Sequence, residues 1–251
     1  MTYVISDLHG YPLEKFKMLL EKAGFCDDDE LFILGDVVDR NGDGGVELLC
    51  WLLSQPNIYL ILGNHEAMLL SCSFVLEQVT DEFVESLSKH NQIEILSEYM
   101  LNGGDVTLKA LSELNKRSPE TVADIFDYLR EAPLYDIVEI GGINYLLTHS
   151  GIDNFEKGKP LSSYTADDFL WNRPKLDDEY FEKSITVFGH TPTISFGEEY
   201  KGKIIKTKTW IDIDVVRMII TDYLKHIFHG TNIHILFIPK APLRSINEEM
   251  K

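Results

Sequence analysis

Cysteine is scarce in this chain: Cys26, Cys50 and Cys72 are three among 251 residues, an odd number with no Cys-x-x-Cys spacing. That excludes a cysteine-only metal site and reads as reduced thiols in a cytoplasmic protein. Positive charge is short as well, with 23 Lys and Arg against 41 Asp and Glu and a net charge of −18. Binding nucleic acid means displacing phosphate counterions with Lys and Arg, so nucleic acid is excluded as the main partner. The same charge opposes an anionic membrane surface. No apolar run approaches the ~18 residues that span a bilayer, so no membrane partner is expected. No basic segment leads into an apolar stretch at the start, so no signal peptide is read there.

What remains is ordinary for a folded chain: 44% hydrophobic and 25% charged residues, enough for one domain over residues 1–251. Tyr3–Ile5, Leu31–Leu34 and Ile58–Leu62 are short continuous apolar runs of strand length, as in strands buried on both faces. Between them, Leu13, Phe16, Leu19, Leu20 and Ala23 form a helical stripe stopped by Gly24. Val46, Leu48, Leu49, Leu52 and Leu53 form another, ended before Pro56. Strand alternating with helix gives an α/β class. From Glu66 to Glu131 the pattern turns mostly helical, with breaks at Asn102-Gly103-Gly104 and Ser118-Pro119, and its aromatics read as core. Tyr135–Ile140, Gly141-Gly142 and Ile143–Thr148 read as a hairpin, and Ile185–Phe188 as a further strand.

Five polar clusters each follow an apolar run: Ser6–Gly10, Gly35–Arg40, Gly63–Glu66, His149–Gly151 and Gly189–Thr191. Asp7 to Asp36 is 29 residues and Asp36 to Asn64 is 28, about one strand-helix unit each, which brings their clusters to one sheet edge. Asp7 and His9, one residue apart, can share a metal; Asp36 is a carboxylate able to bridge two; Asn64, His149 and His190 complete the second position. Carboxylate, imidazole and amide oxygen suit Mn, with Fe or Zn as alternatives. Two adjacent divalent metals lower the pKa of a bridging water and clamp phosphoryl oxygens for in-line attack. His65 is left as general acid, Asp39 as its orienting partner, and Arg40 as a phosphate fork, with Arg173 a second candidate clamp. Asp39–Gly44 imitates half of a calcium loop, but its twelfth position is Cys50, so no calcium is expected. His226, His229 and His234 are loosely spaced and read as no metal site.

Asp-x-His, Gly-Asp-x-x-Asp-Arg, Gly-Asn-His-Glu, His-Ser-Gly and Gly-His-Thr, in this order, resemble the phosphoprotein phosphatase branch of the binuclear metallophosphoesterases. Asn102-Gly103-Gly104, Trp171-Asn172-Arg173 and Phe188–Pro192 are similar to segments of its bacterial and bacteriophage serine/threonine phosphatases. The resemblance runs from Met1 to about Asp214. It implies a metallophosphoesterase fold, a central β-sandwich flanked by helices, with the helical insertion near residues 66–131. It also implies Asp7, His9 and Asp36 on one metal, and Asp36, Asn64, His149 and His190 on the other. His65 with Asp39 is then the acid pair, and Arg40 with Arg173 the phosphate clamp. The implied activity is a serine/threonine phosphomonoesterase acting on phosphoproteins. A symmetrical dinucleoside tetraphosphate hydrolase, or another small-phosphate hydrolase, is the enzymatic alternative, and an inactive metal-bound scaffold the non-enzymatic one. After Trp210-Ile211-Asp212 the family's Thr-Gly-Ala-like turn is replaced, so residues 215–251 are an atypical tail whose closure of the sheet edge is not assured.

Overall fold

The computed structural model describes residues 1–76 and 91–215, and the backbone of 234–238. Two sheets carry the fold. The first takes its strands from the opening apolar runs: β1 (Thr2–Ser6), β2 (Glu30–Ile33) and β3 (Ile58–Leu60), joined by α1 (Leu13–Ala23) and α2 (Val46–Leu52). These strands are parallel, in spatial order β3-β2-β1. The second sheet holds the hairpin β4 (Tyr135–Ile140) and β5 (Ile143–Thr148), then β6 (Ser184–Phe188), β7 (Ile205–Lys206) and β8 (Trp210–Asp212), in order β4-β5-β6-β8-β7.

The continuous apolar runs arise because both faces of these strands are covered. Val4, Phe32, Leu34 and Ile61 meet Tyr145, Leu147, Val187 and Ile211 in the layer between the sheets. Their alternate neighbours Tyr3, Ile5, Leu31 and Ile33 pack outward on Phe16, Leu19, Leu49 and the helical insertion. On the far side, Leu146, Phe188 and Trp210 pack on Tyr164 and Phe169. The result is a metallophosphoesterase fold: a β-sandwich flanked by helices. Side chains two residues apart share a face, so each run serves two cores at once.

The described part of the insertion is helical as expected: α3 (Asn64–Ser71), α4 (Gln92–Leu101), α5 (Asp105–Asn115) and α6 (Pro119–Glu131), the last with proline at its first position. A short α7 (Ala166–Leu170) is capped by Thr165, whose hydroxyl accepts from the Asp168 amide.

The tail supplies one element beyond what the sequence suggested. β9 (His234–Ile238) lies antiparallel beside β1, pairing Thr2 with Ile238 through Ser6 with His234, and so covers the β1 edge. The doubt over edge closure is corrected there by backbone pairing, which any extended segment can supply. The rest of the tail reading, with His226 and His229, falls outside the described residues. Among the described residues, no helix is long and apolar enough to cross a membrane.

Candidate active site

The clusters meet where β1, β2, β3, β5 and β6 end. Eight non-glycine residues among those described have positive φ, and Asp7, His9, Asp36, Asp39, Arg40 and His190 are six of them (φ 54°, 40°, 57°, 78°, 69° and 66°). A side chain held there costs free energy that the surroundings must offset, and such strain gathers where side chains are aimed at a ligand. Two glycines let the clusters approach one another. A Cβ on Gly35 would fall 2.5 Å from Gly63 Cα, and one on Gly189 would fall 2.3 Å from Asp7 Oδ2.

Two groups of donor atoms adjoin one another, His9–Asp36–His65 and Asp36–His149–His190, all buried. Asp36 faces both. Its Oδ2 stands 3.5 Å from His9 Nε2 and its Oδ1 3.4 Å from His149 Nε2. The His9 and His149 rings donate Nδ1–H to backbone carbonyls, of Val38 at 3.1 Å and Leu34 at 2.7 Å. That fixes the tautomer and leaves each Nε2 lone pair aimed inward, the usual support of a metal-bound imidazole. His149 Nε2 then faces Asn64 Oδ1 at 2.8 Å, acceptor against acceptor, and His190 Nδ1 reaches the same oxygen at 3.0 Å. Donors about 3 Å apart are the spacing of neighbouring ligands with ~2.1 Å bonds to one ion. His190 Nε2 is buried without a partner.

Electrostatics agree with a cation at this point. Burial pushes the His9 and His190 rings down to about 3 and about 2, so both are neutral ligands at ordinary pH. Burial, with Asp7 and Glu66 nearby, holds the Asp36 carboxyl well above the usual range, as expected of carboxylates crowded together without a counter-charge. The donor set therefore fits divalent metal.

Asp7 is buried at the site but sits differently from the other candidates. Its carboxylate accepts the His190 backbone N–H at 3.2–3.3 Å and lies outside both tight groups. His65 lies inside one of them. Its Nδ1–H donates to Asp39 Oδ2 at 2.7 Å, and its Nε2 accepts from the Arg40 guanidinium at 3.0 Å. Burial first and Arg40 second push the His65 ring down to about 3. Arg173 is exposed after α7, and its charge adds to what lowers His190.

Three residues were not singled out by sequence. Glu66 is fully buried and accepts four backbone N–H groups: Asp36 and Gly63 on Oε2 at 2.8 and 3.0 Å, Val37 and Val38 on Oε1 at 2.8 and 3.1 Å. One carboxylate thus fixes the loops that carry Asp36 and Asn64. Tyr99 and Thr107, from the insertion, both donate to Asp39 Oδ1 at 2.6 Å. The Glu of Gly-Asn-His-Glu was a signal for the first; nothing local marks the other two.

Residues 2–221 match the calcineurin-like phosphoesterase family. The chain belongs to that family. Among its relatives is the bis(5'-nucleosyl)-tetraphosphatase, symmetrical, of Buchnera aphidicola subsp. Acyrthosiphon pisum, 37% identical over 100 residues, which are 38% of this chain and 36% of that one. An enzyme of the same name from Marinomonas sp. is 29% identical over 198 residues, 76% of this chain and 58% of that one. The chain spans less than two thirds of the length of either. A protein serine/threonine phosphatase structure from Saccharomyces cerevisiae aligns at a TM-score of 0.47 and 14% identity, covering 95% of this chain and 81% of that one.

Proposed function

We propose that this calcineurin-like phosphoesterase hydrolyses dinucleoside tetraphosphates symmetrically, releasing two nucleoside diphosphates. What carries the substrate class is the activity named for the curated relatives, set on a site whose donors suit a metal-dependent phosphoester hydrolase. Asp7, His9 and Asp36 would hold one divalent ion, and Asp36, Asn64, His149 and His190 the other, with manganese first by donor type. Bound there, the pair supplies Lewis-acid charge on the phosphoryl oxygens and activates the attacking water.

The chain's own groups do the rest. Arg40 offers a planar fork to phosphate oxygens, and Arg173, whose charge reaches His190, adds a second cation. Asp39 holds the His65 ring by its Nδ1 proton, so Nε2 faces the substrate. That Nε2 carries a lone pair accepting from Arg40. A nucleoside diphosphate departs as a stabilised anion and asks little of an acid, whereas a seryl alkoxide must be protonated. This supports the anhydride substrate over a phosphoserine ester.

The second reading, a serine/threonine phosphatase, is favoured by the Asn102–Gly104, Trp171–Arg173 and Phe188–Pro192 segments and their resemblance to phosphatases of that type. One assay separates the readings. Manganese-loaded protein is given diadenosine tetraphosphate, phosphoserine peptide and p-nitrophenyl phosphate, and products are resolved by chromatography. Release of adenosine diphosphate alone from the first supports the proposal; dephosphorylated peptide beside intact tetraphosphate overturns it. Turnover by the parent protein that falls in His65→Asn at constant metal content excludes an inactive scaffold.

A further inference from the structure

A groove of about 220 Å³ opens beside the donor cluster, between α3, α4 and the end of α7. Met68 lines it from α3, one helical turn beyond His65, and Ile95 and Leu170 line it from the other two helices. Trp171 closes one side. The residue is 45% exposed, and its ring stands edge-on to the His190 ring at 6.2 Å between centroids. Trp171 thus links the two, lining the groove while its ring touches the His190 ring of the donor cluster.

Its size and charge restrict what it can take. Pockets that enclose a whole drug-sized ligand measure roughly 300–1,000 Å³, so this one suits one end of a longer substrate. Glu98 and Asp167 both line it. Two carboxylates repel phosphate, which belongs instead with Arg40, Arg173 and the donor set. They are good acceptors for the exocyclic amine and ring N–H groups of a nucleobase. A flat, uncharged, donor-bearing group joined to a polyphosphate chain answers each of these features. Stacking on an aromatic side chain is also the general way proteins hold an unpaired base.

We propose that this groove is the nucleobase subsite of the enzyme, with Trp171 as its stacking platform and Glu98 and Asp167 as acceptors for the base edge. The inference rests on the functional reading above. It adds a determinant of specificity outside the metal-ligand set: the base is read on the face formed by α3, α4 and Trp171, so affinity for a dinucleoside substrate exceeds that for the bare phosphate chain.

The test compares KM for diadenosine tetraphosphate with KM for linear tetraphosphate, which carries no base, in the manganese-loaded protein. Trp171→Ala is expected to raise the ratio of the two about 10-fold, equivalent to ~1.4 kcal/mol, and Trp171→Phe to restore most of it. Ile95→Glu, which puts a charge into the groove from another helix, is expected to raise the ratio in the same direction. A structural role for Trp171 would move both KM values together, and an unchanged ratio in Trp171→Ala and Ile95→Glu overturns the inference. Adenosine diphosphate binding gives a separate readout, because quenching of tryptophan fluorescence is expected in the parent protein and lost in Trp171→Phe. If the parent protein leaves diadenosine tetraphosphate intact, the functional reading fails; the quenching then decides the groove, and its absence overturns the subsite too.

Discussion

Tyr99 on α4 donates its hydroxyl proton to Oδ1 of Asp39 at 2.6 Å, the carboxylate whose Oδ2 takes the Nδ1–H of His65 at 2.7 Å. Burial pushes the Asp39 carboxyl up to about 6, while Thr107 and Tyr99 pull it down. Asp39 must be ionised to orient His65, so activity is expected to fall as the pH drops through about 6 and not near 4. Tyr99→Phe removes one donor to the ionised form, and its acid limb is expected at higher pH, with activity about 10-fold lower at pH 6. Profiles of kcat/KM against pH check both statements; superimposable limbs would detach Tyr99 from Asp39.

Glu66 is expected to be the most damaging single carboxylate to neutralise. Glu66→Gln places an amide N–H against backbone N–H groups that now end on Oε1 and Oε2. Leaving buried donors unsatisfied costs about 2–4 kcal/mol in total, and the melting midpoint is expected to fall by roughly 5–15 °C. Calorimetry on metal-free and manganese-loaded protein measures this. A shift under 2 °C would mean that the Asp36 and Asn64 loops are held some other way.

These two cases mark where the sequence stops being legible. The apolar runs of β1, β2 and β3 announce themselves because both faces are buried, and the clusters after them fall where strands must end. Spacing therefore places Asp7, Asp36 and Asn64 at one sheet edge, while His149 and His190 join them only through the motif resemblance. Tyr99 and Thr107 lie 60 and 68 positions from Asp39, in helices whose apolar stripes look the same whether or not one hydroxyl reaches a carboxylate. Tyr99 is core, as the pattern suggests, but the reach of its hydroxyl is set only in three dimensions. Asp7 adds a contact that spacing does not show, since its carboxylate also accepts the His190 backbone N–H.

Arg40 reaches the His65 ring and, in the proposed reaction, the substrate phosphate as well. Its backbone N–H is anchored on the Gly103 carbonyl at 2.9 Å, and its guanidinium reaches His65 Nε2 at 3.0 Å. Arg40→Ala is expected to raise KM and lower kcat, with kcat/KM down about 100-fold. Arg40→Lys is expected to recover little, because a point charge replaces a planar fork. Steady-state kinetics on diadenosine tetraphosphate decide, and a Lys variant with near-parental kcat/KM would reduce Arg40 to a diffuse charge.

Metal should also hold the fold together, because the donors repel one another without it. Asp7 and Glu66 add to burial in raising Asp36, and a cation that binds only the folded form stabilises by about 4 kcal/mol at 1,000 times its dissociation constant. Chelation is expected to abolish hydrolysis and to lower the melting midpoint, both reversed by manganese. The shared position of Asp36 makes a sharper claim. Asp36→Asn is expected to lose metal from both positions, while His149→Ala loses chiefly one, as counted by elemental analysis after dialysis. If Asp36→Asn retained one full equivalent, its two oxygens would not be serving two ions, and the pairing of His9 with His149 through that carboxylate would need another explanation.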